Sequence, residues 1–249
     1  MRIAILSEIK SNVYALQAVL DDIKNKNIDV KINLGNSFYG PIEPKQTYNL
    51  IRKNEFINIL GIEDRLILEA SLAQLEENKL LNYVYNNLNN DILYWIQDLP
   101  FEKLIGEDFY MINGTYYDDS KYLLEDISSG TAKLRKEKEI LKLIDEDIKS
   151  KFIMCGNSSI PRCTNLSNGQ VILNPGSVGL QAYKSKKYKE HKIQNGINKA
   201  CYLILEIKEN EFDVELVKID YDFEKAALKT KENGFEDWEY ALRTGKIKE

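Results

Sequence analysis

Histidine is almost absent from this chain: His191 is the single one in 249 residues. A centre built on several imidazole ligands, or on a histidine-centred acid–base pair, is therefore not expected. Cysteine is scarce and odd in number, at three residues, which excludes a disulfide scaffold. The opening MRIAILSEIK holds too few apolar positions for an export signal, so reduced thiols and a cytoplasmic location are predicted. Only 13 Gly and 5 Pro are present, too few for a collagen-like or low-complexity chain. No run approaches the roughly 18–20 apolar residues of a membrane span. Excess positive charge is missing too: 34 Lys+Arg stand against 39 Asp+Glu, a net charge of −5. Non-specific nucleic-acid binding draws on many cations and is not expected. What remains is 43% hydrophobic and 29% charged, an ordinary globular composition. With no internal repeat and no Pro/Gly/Ser linker, one domain over 1–249 is predicted.

Residues 2–7 form a short apolar run ending abruptly in polar residues, as a buried parallel strand does. Ala15, Leu16, Val19, Leu20 and Ile23 then recur at helical spacing. Strands are predicted at 30–34 and 56–60, with a helix at 45–53 between them and Gly35 and Gly61 closing the strands. Strand–helix–strand–helix–strand with short connections predicts a parallel sheet with both crossover helices on one face. Residues 64–98 read as mostly helical. Beyond Pro100, strands are expected at 109–112, 152–155, 171–173, 201–207 and 212–219. Helices are expected at 132–149, 223–233 and 236–244. The fold class is α/β, with a parallel sheet from the first half and a more mixed or antiparallel one from the second.

Every strand runs into a small-residue turn carrying a polar side chain: SEIK at 7–10, GN at 35–36, GIED at 61–64, NGT at 113–115, GNSS at 156–159 and NPGSVG at 174–179. Turn chemistry alone favours such residues. In open α/β sheets, however, the functional site also lies beyond the carboxyl ends of the strands.

The ordered set LSEIKSN, LGNSFYGP, LGIEDR, INGTYYD, MCGNSSIPR and ILNPGSVG, with YDFEKAA near 221–227, resembles the calcineurin-like metallophosphoesterases. The likeness is to their small single-domain phosphodiesterase-type branch and spans essentially the whole chain. It implies a two-sheet α/β/β/α sandwich. It also implies two divalent metals about 3.5–4 Å apart that activate a hydroxide for attack on a phosphoester.

Carried over position by position, the family's ligands are gone. The first Asp corresponds to Glu8, its His partner to Lys10, the bridging Asp to Asn36 and the Asn ligand to Ile62. The acid-helper His corresponds to Glu63, and the three later His ligands to Asn113, Asn157 and Ser159. Of the ligand positions only Glu8 keeps its charge, whereas Asn12, Gly35, Gly61, Asp64, Gly114, Gly156 and the NPGSVG loop are retained. No bound metal is expected, or at most one weak cation. The leading expectation is a degenerate member that binds or regulates, its partner a small anionic ligand or a protein. Lys10, Asn36, Glu63, Asn157 and Ser159 are the candidate ligand-binding residues. Lys10 is further expected to pair with Glu8 or Glu63 as an internal substitute for metal charge. Two alternatives stay open. One is an active phosphoesterase holding a single hard cation on Glu8 and the amide oxygens of Asn36, Asn113 and Asn157. The other is a structural or assembly protein.

Three further expectations concern the surroundings. The segment Lys184–Lys192, with His191 and the interleaved Tyr183 and Tyr188, reads as a solvated loop. Cys155 and Cys163 read as small core residues. Asp118 and Asp119 read as an exposed helix start, with a carboxylate near the pocket as the second option.

Overall fold

The computed structural model describes residues 1–185, 189–209 and 211–248. In chain order its first part runs β1 (Arg2–Leu6), α1 (Val13–Ile23), β2 (Val30–Asn33), α2 (Pro44–Lys53), β3 (Ile57–Asn58), α3 (Ile62–Leu68), α4 (Leu72–Glu77), α5 (Lys79–Asn87) and α6 (Asn90–Gln97). The middle comprises β4 (Glu102–Ile105), β5 (Phe109–Ile112), β6 (Glu125–Asp126), β7 (Lys133–Leu134), α7 (Glu137–Leu141), β8 (Phe152–Met154), β9 (Pro161–Asn165) and β10 (Val171–Pro175). The last part is β11 (Ala182–Ser185), β12 (His191–Gln194), β13 (Ala200–Lys208), β14 (Glu211–Ile219), α8 (Phe223–Glu232) and α9 (Glu236–Thr244). None of the helices described is long and apolar enough to cross a membrane.

Two five-stranded sheets form, in the orders β14-β13-β1-β2-β3 and β4-β5-β8-β10-β9. In the first, β1, β2 and β3 run parallel while β13 lies antiparallel to β1. In the second, β5, β8 and β10 run parallel between antiparallel edges β4 and β9. Each sheet is therefore mixed, as expected for the second, whereas the first, expected to be parallel, is extended by the antiparallel β13 and β14. The chain returns through the long β13–β14 hairpin to complete its first sheet, and sequence order does not encode such a return.

Alternation with period two builds the layers. Ile3 and Ile5 of β1 face Met111, Met154 and Leu173 of the opposite sheet, closing a core between the two. Ala4 and Leu6 point the other way, onto Leu16, Val19 and Leu20 of α1 and Ile51 of α2. Both crossover helices thus cover one face, as right-handed connections require. On the far side of the second sheet, Ile153 and Ile172 pack under Leu123, Leu124, Ile140 and Leu143.

The expected helix at 132–149 is another correction: only Glu137–Leu141 is helical. Lys133 and Leu134 pair instead with Glu125 and Asp126. After α7 the tight turn from Leu143 N–H to the Ile140 carbonyl (2.8 Å) and the Asp145 side chain accepting from Asp147 N–H (2.8 Å) break the helical path. The strand at 56–60 shortens to two residues. The helical segment expected over 64–98 is present as α3 to α6.

Candidate functional site

The carboxyl ends of β1, β2, β5, β8 and β10 converge at one end of the sandwich, and the loops that follow them interlock. Glu8 N–H donates to the Gly35 carbonyl and Lys10 N–H to the Asn36 carbonyl, both at 3.1 Å. Gly179 N–H donates to the Glu8 carbonyl at 2.8 Å, and the Ser177 hydroxyl donates to it at 3.1 Å. Gly35 has φ +88°, and a Cβ there would lie 2.4 Å from the Gly61 nitrogen. These two strand-closing glycines therefore sit back to back, which needs residues without side chains. Asn12 ties the base together: its Oδ1 accepts from Ala15 N–H (3.1 Å) as the α1 cap, while its Nδ2 donates to the Gly179 carbonyl (2.9 Å).

Glu8 occupies the centre and is fully buried. Its Oε1 accepts from Asn36 Nδ2 (2.5 Å) and Asn157 N–H (3.2 Å). Its Oε2 accepts from the Ser159 hydroxyl (3.4 Å) and lies 3.0 Å from the Lys10 ammonium. Lys10, only 3% exposed, also forms an ion pair and hydrogen bond with Glu63. Burial by itself would lower the lysine pKa. Glu63 and Glu8 outweigh it and hold the ammonium above its ordinary value. Burial likewise pushes the Glu8 carboxyl upward, with Lys10 opposing. The expected pairing of Lys10 is present, with both carboxylates at once.

The asparagines fill in around this cluster. Asn36 Oδ1 accepts from Glu63 N–H at 2.8 Å, so one side chain links Glu8 to the start of α3. Asn113 Oδ1 accepts from Ile62 N–H (3.1 Å) and its Nδ2 donates to the Leu34 carbonyl (2.7 Å). Asn157 Nδ2 donates to the Asp119 carbonyl (2.7 Å). Ile62 contributes only its backbone and a buried apolar side chain. Thus the eight positions marked by the sequence resemblance come together at one place, joined directly or through one another.

Six of the nine non-glycine residues with left-handed backbone among those described belong to this site: Glu8, Lys10, Ser11, Asn36, Asn157 and Ser159, with φ between 55° and 64°. Each costs of the order of 1 kcal/mol and persists only where its surroundings over-determine it. Asp64 accepts from Ser37 N–H (2.9 Å) and Phe38 N–H (3.0 Å). Complete burial raises its carboxyl to about 7 against these hydrogen bonds.

Sequence reasoning missed the roof of the site. The Tyr183 ring centroid lies 5.6 Å from the Lys10 ammonium, and its hydroxyl donates to the Asn157 carbonyl at 3.1 Å. Tyr122 joins it, 3.1 Å from the Tyr183 hydroxyl and 2.9 Å from His191 Nε2. His191 is thus buried on β12, not solvated as expected. Its Nδ1 faces the Lys189 carbonyl at 2.7 Å, so that nitrogen carries the N–H and donates. Tyr183 and His191 lie on the paired strands β11 and β12, whose polar, lysine-rich composition hid the inward face. Lys184, Lys189 and Lys192 are exposed on it, whereas Lys186, Lys187 and Tyr188 lie outside the described residues.

Asp119 needs correction as well. No helix starts there; the residue is 2% exposed, and its carboxylate takes Arg65 Nε at 2.9 Å and Nη2 at 2.6 Å. Cys155 is buried as expected, but Cys163 on the edge strand β9 is exposed.

The donor set leaves a cation little to hold. Among the described residues no group of three or more His, Cys, Asp or Glu converges so as to bind a metal ion. Glu8 is already saturated by four donors, and the amide oxygens of Asn36 and Asn113 are turned onto backbone N–H groups. A two-metal centre does not fit these residues. Beside the site, between α4–α5, β11 and α9, opens a cleft of about 1130 Å³, with Tyr39, Tyr183, Phe235 and Trp238 in its walls.

No family model matches the sequence. The chain is 28% identical to the uncharacterized protein MJ0912 of Methanocaldococcus jannaschii, over 95% of this chain and 94% of that one. Among solved structures it is similar to a metallophosphoesterase from Sphaerobacter thermophilus. The TM-score is 0.74 at 19% identity, covering 98% of this chain and 100% of that one. A hypothetical protein from Pyrococcus horikoshii superposes with TM-score 0.71 at 17% identity, over 97% and 96% of the two chains. With the sandwich, the strand-end site and these likenesses running nearly end to end, the chain has the fold of the calcineurin-like metallophosphoesterase superfamily.

Proposed function

We propose that this protein is a metallophosphoesterase-fold member that does not run two-metal phosphoester hydrolysis and serves as a binding or regulatory protein. One observation carries the reading: the Glu8 carboxylate and the side-chain amides of Asn36 and Asn113 are consumed by partners within the chain, with Lys10 lodged between Glu8 and Glu63. Hydrolysis of the family kind needs anionic and nitrogen donors free to hold two cations. Of the three amide oxygens the single-cation alternative needs beside Glu8, those of Asn36, Asn113 and Asn157, the first two already accept backbone hydrogen bonds at 2.8 and 3.1 Å. Ligand recognition is assigned to the neighbouring cleft, whose aromatic walls suit a planar group such as a nucleobase.

The test is the Mn²⁺ retained per chain after incubation with excess and removal of free ion, together with hydrolysis of bis-p-nitrophenyl phosphate. Retention near zero and no turnover are expected. One or two tightly held equivalents, with hydrolysis lost in Glu8→Ala, would overturn the reading.

A further inference from the structure

In a metal-centred site, loops from different strands are tied together by bonds to the ion, so metal binding energy is also folding energy. The same loops meet here, still in left-handed conformations at six positions. What lies between their carboxylates is the Lys10 ammonium, 3.0 Å from Glu8 and paired with Glu63, beneath the Tyr183 ring. An ammonium carries one charge and three donors on a flexible stem. It can answer two carboxylates, but unlike an ion it cannot leave.

We propose that Lys10 is a tethered resident cation that holds these loops, and that removing its side chain exposes a latent binding site for one hard divalent cation. The inference rests on the reading that the natural chain takes no metal. Charge supports it. Glu8, Glu63 and Lys10 sum to −1, and without the lysine two carboxylates would face one another at −2. Hard oxygen donors of that kind select Mg²⁺, Mn²⁺ or Ca²⁺. The Ser159 hydroxyl, 3.4 Å from Glu8 Oε2, supplies a further oxygen. Lys10 is thus a positioning residue for the strand-end loops.

The experiment compares the full-length natural chain, Lys10→Ala and Lys10→Ala/Glu8→Gln by thermal melting with and without Mn²⁺, and by Mn²⁺ titration calorimetry. Neither Mn²⁺ nor chelator should move the natural chain. Lys10→Ala should melt ~10 °C lower, recover at least half of that loss in millimolar Mn²⁺, and bind one equivalent. Glu8→Gln in that background should abolish the recovery. A Lys10→Ala melt within about 2 °C of the natural chain, or a Mn²⁺ response indifferent to Glu8→Gln, would overturn the proposal. If Lys10→Ala does not fold, Lys10→His is refolded with and without Mn²⁺. Folding only with the ion supports the proposal, and failure in both refutes it. Stoichiometric Mn²⁺ with hydrolysis by the natural chain would instead defeat the functional reading, a result separate from the variants' stability.

Discussion

Asn36 binds Glu8 through its Nδ2 at 2.5 Å and the Glu63 backbone N–H through its Oδ1 at 2.8 Å. An aspartate could make only the second contact. At a position where the sequence resemblance implies a bridging carboxylate, this chain therefore uses both ends of a neutral amide.

Asn36→Asp should be destabilising in the absence of metal, because it removes a donor to a buried carboxylate and sets a second one against it. A cost of roughly 2–4 kcal/mol is expected in urea titrations. A change below about 0.5 kcal/mol would show that the amide is not holding Glu8.

Arg65 forms an ion pair with the buried Asp119, and the Asp119 carbonyl holds the Asn157 side chain. Arg65→Met should cost about 3 kcal/mol, at the low end for a broken buried pair because the Arg65 side chain is about one-third exposed. Arg65→Lys should recover less than half, since it cannot reproduce the two-pronged contact. Equal stability of Lys and Arg at this position would refute that account.

The Asp64 carboxyl, raised by burial to about 7, makes the native state hold a proton that the unfolded chain releases near 3.8. Its contribution to stability is thus greatest below pH 4 and is lost as pH rises from about 4 to about 7, by up to about 4 kcal/mol. The stability difference between the natural chain and Asp64→Asn, measured by urea titration from pH 4.5 to 7.5, should fall with pH and level off above 7. A rising difference would mean that the Ser37 and Phe38 N–H groups hold the carboxylate ionised.

Gly35→Ala meets two obstacles, a φ of +88° and backbone of Gly61 at 2.4 Å from the new Cβ. A loss of about 2–4 kcal/mol is expected. Gly169, with φ +87° but open space around it, is the control, and its alanine variant should cost clearly less.

Trp238 lines the cleft, while Trp95 packs against Phe38 and Tyr48. In Trp95→Phe, Trp238 becomes the single tryptophan and a direct reporter. Titration with AMP should change its fluorescence saturably without release of phosphate. No change up to millimolar AMP would remove nucleotides from the candidate ligands.

Residue order alone carried the strand-end turns, because small and polar residues must sit where buried strands emerge and the next helix begins. Glu8, Asn36, Glu63, Asn113 and Asn157 lie in those turns and were singled out, by the family resemblance, without coordinates. Local rules could not reveal that β13 and β14 return to the first sheet, since antiparallel pairing across the length of the chain leaves no local signal. Nor could they show that His191 and Tyr183 turn inward from a lysine-rich hairpin, or that Asp119 meets Arg65. Those placements depend on which loops are stacked above one another. That stacking is decided by the packing of two sheets, long after the residues themselves are chosen.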